Sequence, residues 1–145
     1  MIDKLFASFR QDEAPADPEA DLRAAVAALL IEAARADEDY TEEERAMIDR
    51  MLARRFGLEA GAARALRERA EADQEAANDL YGFTKHLKDG LDREGKLSLI
   101  EDLWRIVLSD EARDPHEEMV VRRVVGLLHM EDTDSTAARQ RAERG

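Results

Sequence analysis

Four carboxylates stand at matched places in the chain and pose the first chemical question. Asp37 is followed seven residues later by Glu44, and Asp110 seven residues later by Glu117. In each pair the Asp ends one apolar helical pattern and the Glu falls one turn into the next. If the two breaks converge, four like charges meet. Such a cluster is costly unless protons, basic side chains or a divalent cation neutralise it. Oxygen-only ligands suit a hard ion, Ca²⁺ or Mg²⁺. A simpler reading competes. Thr41 and Glu44 have the spacing of a capping box, and Asp114, Pro115 and Glu117 repeat it in kind. Carboxylates near helix starts are also favoured by the helix dipole. The residues alone leave both readings open.

Other chemistries find less support. Asp37, Asp39 and Thr41 fit positions 1, 3 and 5 of an EF-hand loop, but Glu42 stands where that loop needs Gly and Ile48 where it needs Glu. His116 lies beside Glu117, so a mixed zinc site is conceivable, yet no His-x3-His pair exists and His86 and His129 lack a sequence partner. With 0 Cys there is neither a disulfide framework nor a thiolate ligand. No Gly-rich phosphate loop and no Gly-x-Ser-x-Gly motif appears. Glu43 and Glu44 are a possible acid–base pair, but nothing marks a pocket for them.

The elements that must position these acids are helices. Ile2, Leu5, Phe6 and Phe9 lie at helical spacing, and an acidic, Pro-containing linker follows. Asp17 and Pro18 suit a helix start, and Leu22, Ala25, Val26, Leu29, Leu30 and Ala33 predict a helix to about Ala36. A second helix runs from the Thr41 cap through Ile48, Met51 and Leu52 until Gly57 stops it. A third, Ala60 to about Ala72, has little apolar surface and is expected at the periphery. Leu80, Phe83, Thr84 and Leu87 mark a fourth. Asp92 caps a fifth, with Leu97, Ile100, Leu103, Trp104 and Val107. Met119 to Leu128 is apolar on most sides, which predicts a buried, central helix. Trp104, Phe83, Tyr81 and Phe56 are expected in the core. The polar tail from Thr133 forms a short helix from Ser135, or frays.

Two segments are alike. Leu30 to Glu44 and Leu103 to Glu117 each hold an apolar helix, an Asp-Glu break, a capping residue and a Glu. The offset is 73 residues through Leu52 and Val125, after which one residue is dropped to align Phe56-Gly57-Leu58 with Leu128-His129-Met130. This predicts two helix–loop–helix units related by a pseudo-twofold axis, covering each other's apolar faces. The pattern resembles the tellurite-resistance TerB-like family. The resemblance is carried by Ala36-Asp37-Glu38, Thr41 to Glu44, Phe56-Gly57-Leu58, Leu80-Tyr81-Gly82-Phe83, Leu103-Trp104, and Ser109-Asp110-Glu111 to Glu117-Glu118. It implies a bacterial, cytoplasmic, all-helical bundle of about seven or eight helices, with cation binding at the acidic positions. The family often has Gly after each loop Asp, where this chain has Glu38 and Glu111.

Composition agrees with this class. The 145 residues allow one domain, and 44% hydrophobic residues suffice for a core. With 7 Gly and 3 Pro against abundant Ala, Leu, Glu and Arg, helices are favoured over strands. A net charge of -12 argues against nucleic acid as a partner. No apolar run approaches the roughly 18 residues of a membrane span, and the start lacks a signal peptide's apolar centre, so a soluble cytoplasmic protein is expected. The reading is an all-α, single-domain bundle: an N-terminal helix and linker over 1–16, a TerB-like domain over 17–131 and a polar tail or helix over 132–145. Its expected function is non-catalytic: an acidic stress-response interaction module with a divalent cation at Asp37, Glu44, Asp110 and Glu117. The alternatives are a metal-free module docking a basic protein, and a metal-dependent hydrolase. The partner is expected to be a protein, membrane association is at most indirect, and the first helix suits packing or a homodimer contact.

Overall fold

A computed structural model describes residues 18–36, 39–77, 80–109 and 115–144. The expected N-terminal helix and the four residues Asp37, Glu38, Asp110 and Glu111 lie outside the described residues. Among those described there are seven α-helices and no strands. These are α1 (Pro18–Arg35), α2 (Glu42–Phe56), α3 (Ala60–Ala76), α4 (Tyr81–Gly90), α5 (Arg93–Leu108), α6 (Pro115–Leu127) and α7 (Asp132–Glu143). No helix among them is long and apolar enough to cross a membrane.

The helix boundaries follow local chemistry. At the start of α2 the Thr41 hydroxyl accepts from the Glu44 N–H, and the Glu44 carboxylate accepts from the Thr41 N–H. Asp92 caps α5 by accepting from the Gly95 N–H. Gly57 ends α2 at φ 64 and His129 follows α6 at φ 58. These are the two positions the sequence alignment pairs. In both, the next residue's N–H reaches five residues back, Leu58 to the Ala53 carbonyl and Met130 to that of Val125. The repeat is therefore written in the backbone as well as in residue types.

The repeat also extends further than the sequence reading placed it. α6 begins 73 residues after α2, and α7 begins 72 residues after α3. Each unit is thus three helices, α1–α2–α3 and α5–α6–α7, with α4 between them. In each unit the first helix packs extensively on the third. The first helices also meet each other, and each touches the other unit's second helix, as a pseudo-twofold requires.

The centre of the bundle is α1, not α6. Every residue from Ala25 to Ile31 is buried, as are Ala33 and Ala34. Alanine on several faces lets neighbouring helices approach, and α1 contacts five of the other six. At one of these approaches Gly90 meets Leu22, where an added Cβ would lie 3.0 Å from Leu22 Cδ1. The expected all-round burial of α6 does not hold. Val121, Val124 and Val125 are buried, but Met119 is 53% exposed and Arg122 and Arg123 face outward. Apolar residues at consecutive positions had hidden a one-sided helix. Tyr81, expected in the core, is 63% exposed at the start of α4, whereas Trp104 is buried.

The third helix runs on to Ala76. It exposes most residues, yet Ala63 and Ala70 are buried against α1, because small side chains allow close contact without a wide apolar face. The tail is a helix from Asp132. Ala138 is buried, the Trp104 Nε1–H donates to the Ser135 Oγ at 3.0 Å, and Arg139 stacks over the Trp104 ring at 4.9 Å.

Candidate functional site

The site is built around the first bend, residues 39–41, and the side of the bundle on which it opens. Tyr40 is clamped there. The guanidinium groups of Arg35 and Arg45 both lie over its ring, 5.1 and 4.4 Å from the centroid. Its hydroxyl donates to Glu71 Oε2 at 2.6 Å. The same oxygen accepts from Arg67 Nη1 at 2.9 Å, and Arg67 Nε donates to Asp49 Oδ1 at 2.6 Å. Arg35 donates to the Glu71 carbonyl and to Gln74, which donates to Glu32. One polar network thus ties the bend, α1 and α2 to α3.

The charges in this network shift one another. Burial, and then the hydrogen bond and charge of Glu71, push the Tyr40 phenol above its ordinary value. Burial alone would raise the Glu71 carboxyl, but the Tyr40 hydroxyl and Arg67 outweigh it and hold it below the ordinary range. Burial disfavours the Arg67 cation as well, and its bonds to Asp49 and Glu71 more than compensate.

The C-terminal end of α5 reaches the same side. Ser109, the last described residue before the second bend, lines one cavity of about 460 Å³ together with Asp39, Thr41, Glu43, Glu44, Met47 and Arg50. Of the four acids singled out in the sequence, only Glu44 has a described side chain. It is buried, and its Oε1 accepts from the Thr41 N–H at 3.0 Å and hydroxyl at 3.2 Å. Glu117 belongs to the first turn of α6, but its side chain and that of His116 lie outside the described residues, as do Asp37 and Asp110. His86 and His129 are exposed. Among the described residues no group of three or more His, Cys, Asp or Glu could hold a metal ion. Fit to a cation therefore turns on Asp37, Asp110 and Glu117 joining Glu44, one of whose oxygens already serves the cap.

A second charged centre escaped the sequence reading. Asp102 is buried in α5 and accepts from Arg55 at 2.6 Å and Arg105 at 3.1 Å, with Arg54 at 3.8 Å. It binds α2 to α5. The signal was an acid inside the apolar pattern of α5, which must find a cation when buried. Arg67 and Glu71 gave a weaker signal, an i,i+4 pair on a helix expected at the periphery.

A family model described as "Tellurite resistance protein TerB" matches residues 23–140. The chain belongs to this family. The TerB match begins within α1 and ends within α7, and so touches all seven described helices. The all-helical bundle is the architecture that membership implies. Comparison with curated proteins and with solved structures gives no match. Membership makes the chain a module associated with tellurite resistance.

Proposed function

We propose that this TerB-family protein is a non-catalytic interaction module whose working face is the cavity between the first bend and the C-terminal end of α5. A divalent cation shared by Asp37, Glu44, Asp110 and Glu117 would bridge the two units there. The observation that carries this reading is the common cavity lined by Asp39 and Thr41 of the first bend, by Glu43 and Glu44 of the first turn of α2, and by Ser109 from the end of α5. Asp37 and Asp110 are near neighbours of those lining residues in sequence. Binding would relieve repulsion between the acids and fix the angle between the units, altering a partner surface.

Calorimetric titration of the full chain with Ca²⁺, Mg²⁺, Mn²⁺ and Zn²⁺ tests the cation. A saturable heat with a hard ion is expected. Absence of heat and of any melting shift at millimolar metal removes it.

A second reading, docking without metal, is favoured by Glu44 Oε1 already being engaged by Thr41. Partner capture repeated with EDTA and then with high salt separates the two. Loss with EDTA supports the cation, and loss only with salt supports direct charge docking.

A further inference from the structure

A cleft of about 330 Å³ opens between the start of α1 and the first half of α3. Ala20 of α1, Leu58 of the turn after α2, and Ala62 and Leu66 of α3 form its apolar lining. Leu58 and Leu66 are half-buried and rest on the core. The charged lining does not select an occupant. Arg23 is already paired with Glu19 and lies over the Phe56 ring, and Arg69 stands 3.9 Å from Asp73. The cleft offers apolar room instead. A cavity of about 150 Å³ takes one benzene ring, so this one has space for about two rings.

The repeat shows that the cleft belongs to the first unit alone. Ala20 corresponds to Arg93, and Ala62 to Asp134. In the second unit these two side chains close the gap with an ion pair, Arg93 Nη2 to Asp134 Oδ1 at 2.7 Å. The chain entering each unit differs as well. α5 is entered from α4, which packs on α1 and α6. α1 is entered from residues 1–17, and the cleft begins at Glu19 and Ala20, immediately after Pro18.

Residues 1–17 carry two rings at the right spacing. Phe6 and Phe9 are three residues apart, as are Ile2 and Leu5, so in a helix they share one face. A helix this short does not hold alone in water, where about 12–15 residues are needed. Its apolar face must therefore be covered for it to form. As a helix, Ile2 to Phe9 spans about 12 Å, close to the roughly 10 Å of α3 between Ala62 and Arg69. Residues 10–17 reach up to about 26–29 Å when extended, enough to turn the segment back along α3. So short a tether gives an effective concentration in the millimolar range, which favours the chain's own cleft over that of a second copy.

We propose that residues 2–9 fold as a helix in this cleft, with the rings of Phe6 and Phe9 inserted beside Leu58 and Leu66. The contact seals the first unit where the second uses an ion pair. It depends neither on the cation nor on the working face proposed above.

The chain has 0 Cys, so Ser8→Cys provides one site for a nitroxide label in the full chain. The label should reduce the methyl resonances of Leu58 and Leu66 to less than half their intensity, and leave that of Met119 on α6 unchanged. Ala20→Arg with Ala62→Asp installs the second unit's ion pair and should abolish the broadening. Phe6→Ala with Phe9→Ala alters no residue of the described core and should abolish it too. A mixture of spin-labelled chain without isotope and isotope-labelled chain without nitroxide should show no broadening. Unchanged Leu58 and Leu66 signals, or broadening that survives both double substitutions, overturns the proposal. So does broadening in the mixture, which assigns the helix to a second copy.

Discussion

The two three-helix units share a plan but hold their third helices differently. Arg67 of α3 and Arg139 of α7 occupy equivalent positions, and each pairs with a Glu four residues on, Glu71 and Glu143. In the first unit Arg67 also reaches Asp49 on α2. The residue equivalent to Asp49 in the second unit is Arg122, which repels rather than attracts. Arg139 turns instead to the ring of Trp104, which replaces the Ile31 of the first unit. Consistent with this, α2 lies closely along α3, while α6 touches α7 little and packs on α5, α1 and α4. The repeat keeps the starts of the second and third helices and the left-handed end of the second, and a few charge differences accompany the different neighbours each helix joins.

The sharpest way to break the comparison is to make the second unit copy the first at its buried acid. Asp102 stands where the first unit has the fully buried Leu29. Asp102→Leu should cost about 3–5 kcal/mol, because it leaves the largely buried Arg55 without its counter-ion. A urea midpoint reads this directly.

The equivalent arginines should differ next. Arg67→Met should cost about 2–3 kcal/mol, since two charge-assisted bonds to part-buried acids are lost. Arg139→Met should cost under about 1 kcal/mol, since its ion pair is solvated and one ring contact remains to be replaced. Equal costs in paired urea melts would remove the distinction.

The first unit's network should also appear in the pH dependence. Glu71 titrates below its ordinary value when folded. Its contribution is therefore present above the unfolded carboxyl value of about 4.3 and is lost as pH falls through the lower folded value. Glu71→Gln should flatten the acid limb of stability against pH, and a melt series from pH 7 to pH 2.5 measures it.

The smallest effects concern the matched caps. Gly57→Ala should destabilise by about 1 kcal/mol, because a side chain resists positive φ. His129→Gly should stabilise by roughly 0.5 kcal/mol by relieving the same strain. Opposite signs in thermal melts would support the pairing of the two positions.

Much of this fold was legible in the sequence because local chemistry specified it. Thr41 with Glu44, Asp92 with Gly95 and the left-handed Gly57 each satisfy backbone groups from nearby residues. Burial was harder to read. Alanines in α1 carry little hydrophobic signal individually, yet they allow the closest packing and so make α1 the centre. Valines in succession in α6 suggested burial all round, while Arg122 and Arg123 marked the solvent side. For the candidate site, the sequence located the first bend and the cap role of Glu44. It missed Tyr40, Arg67 and Asp102, because their partners lie on other helices and such pairings have no periodicity to read.

The central functional claim is that the two bends share one ion, and coupling between them tests it most directly. Melting temperature is measured with and without Ca²⁺ for the unmodified chain, Asp37→Asn and Asp110→Asn. A shared ion predicts a calcium-dependent rise in the unmodified chain that either single substitution abolishes. No rise in the unmodified chain, or a rise that survives each single substitution, contradicts it.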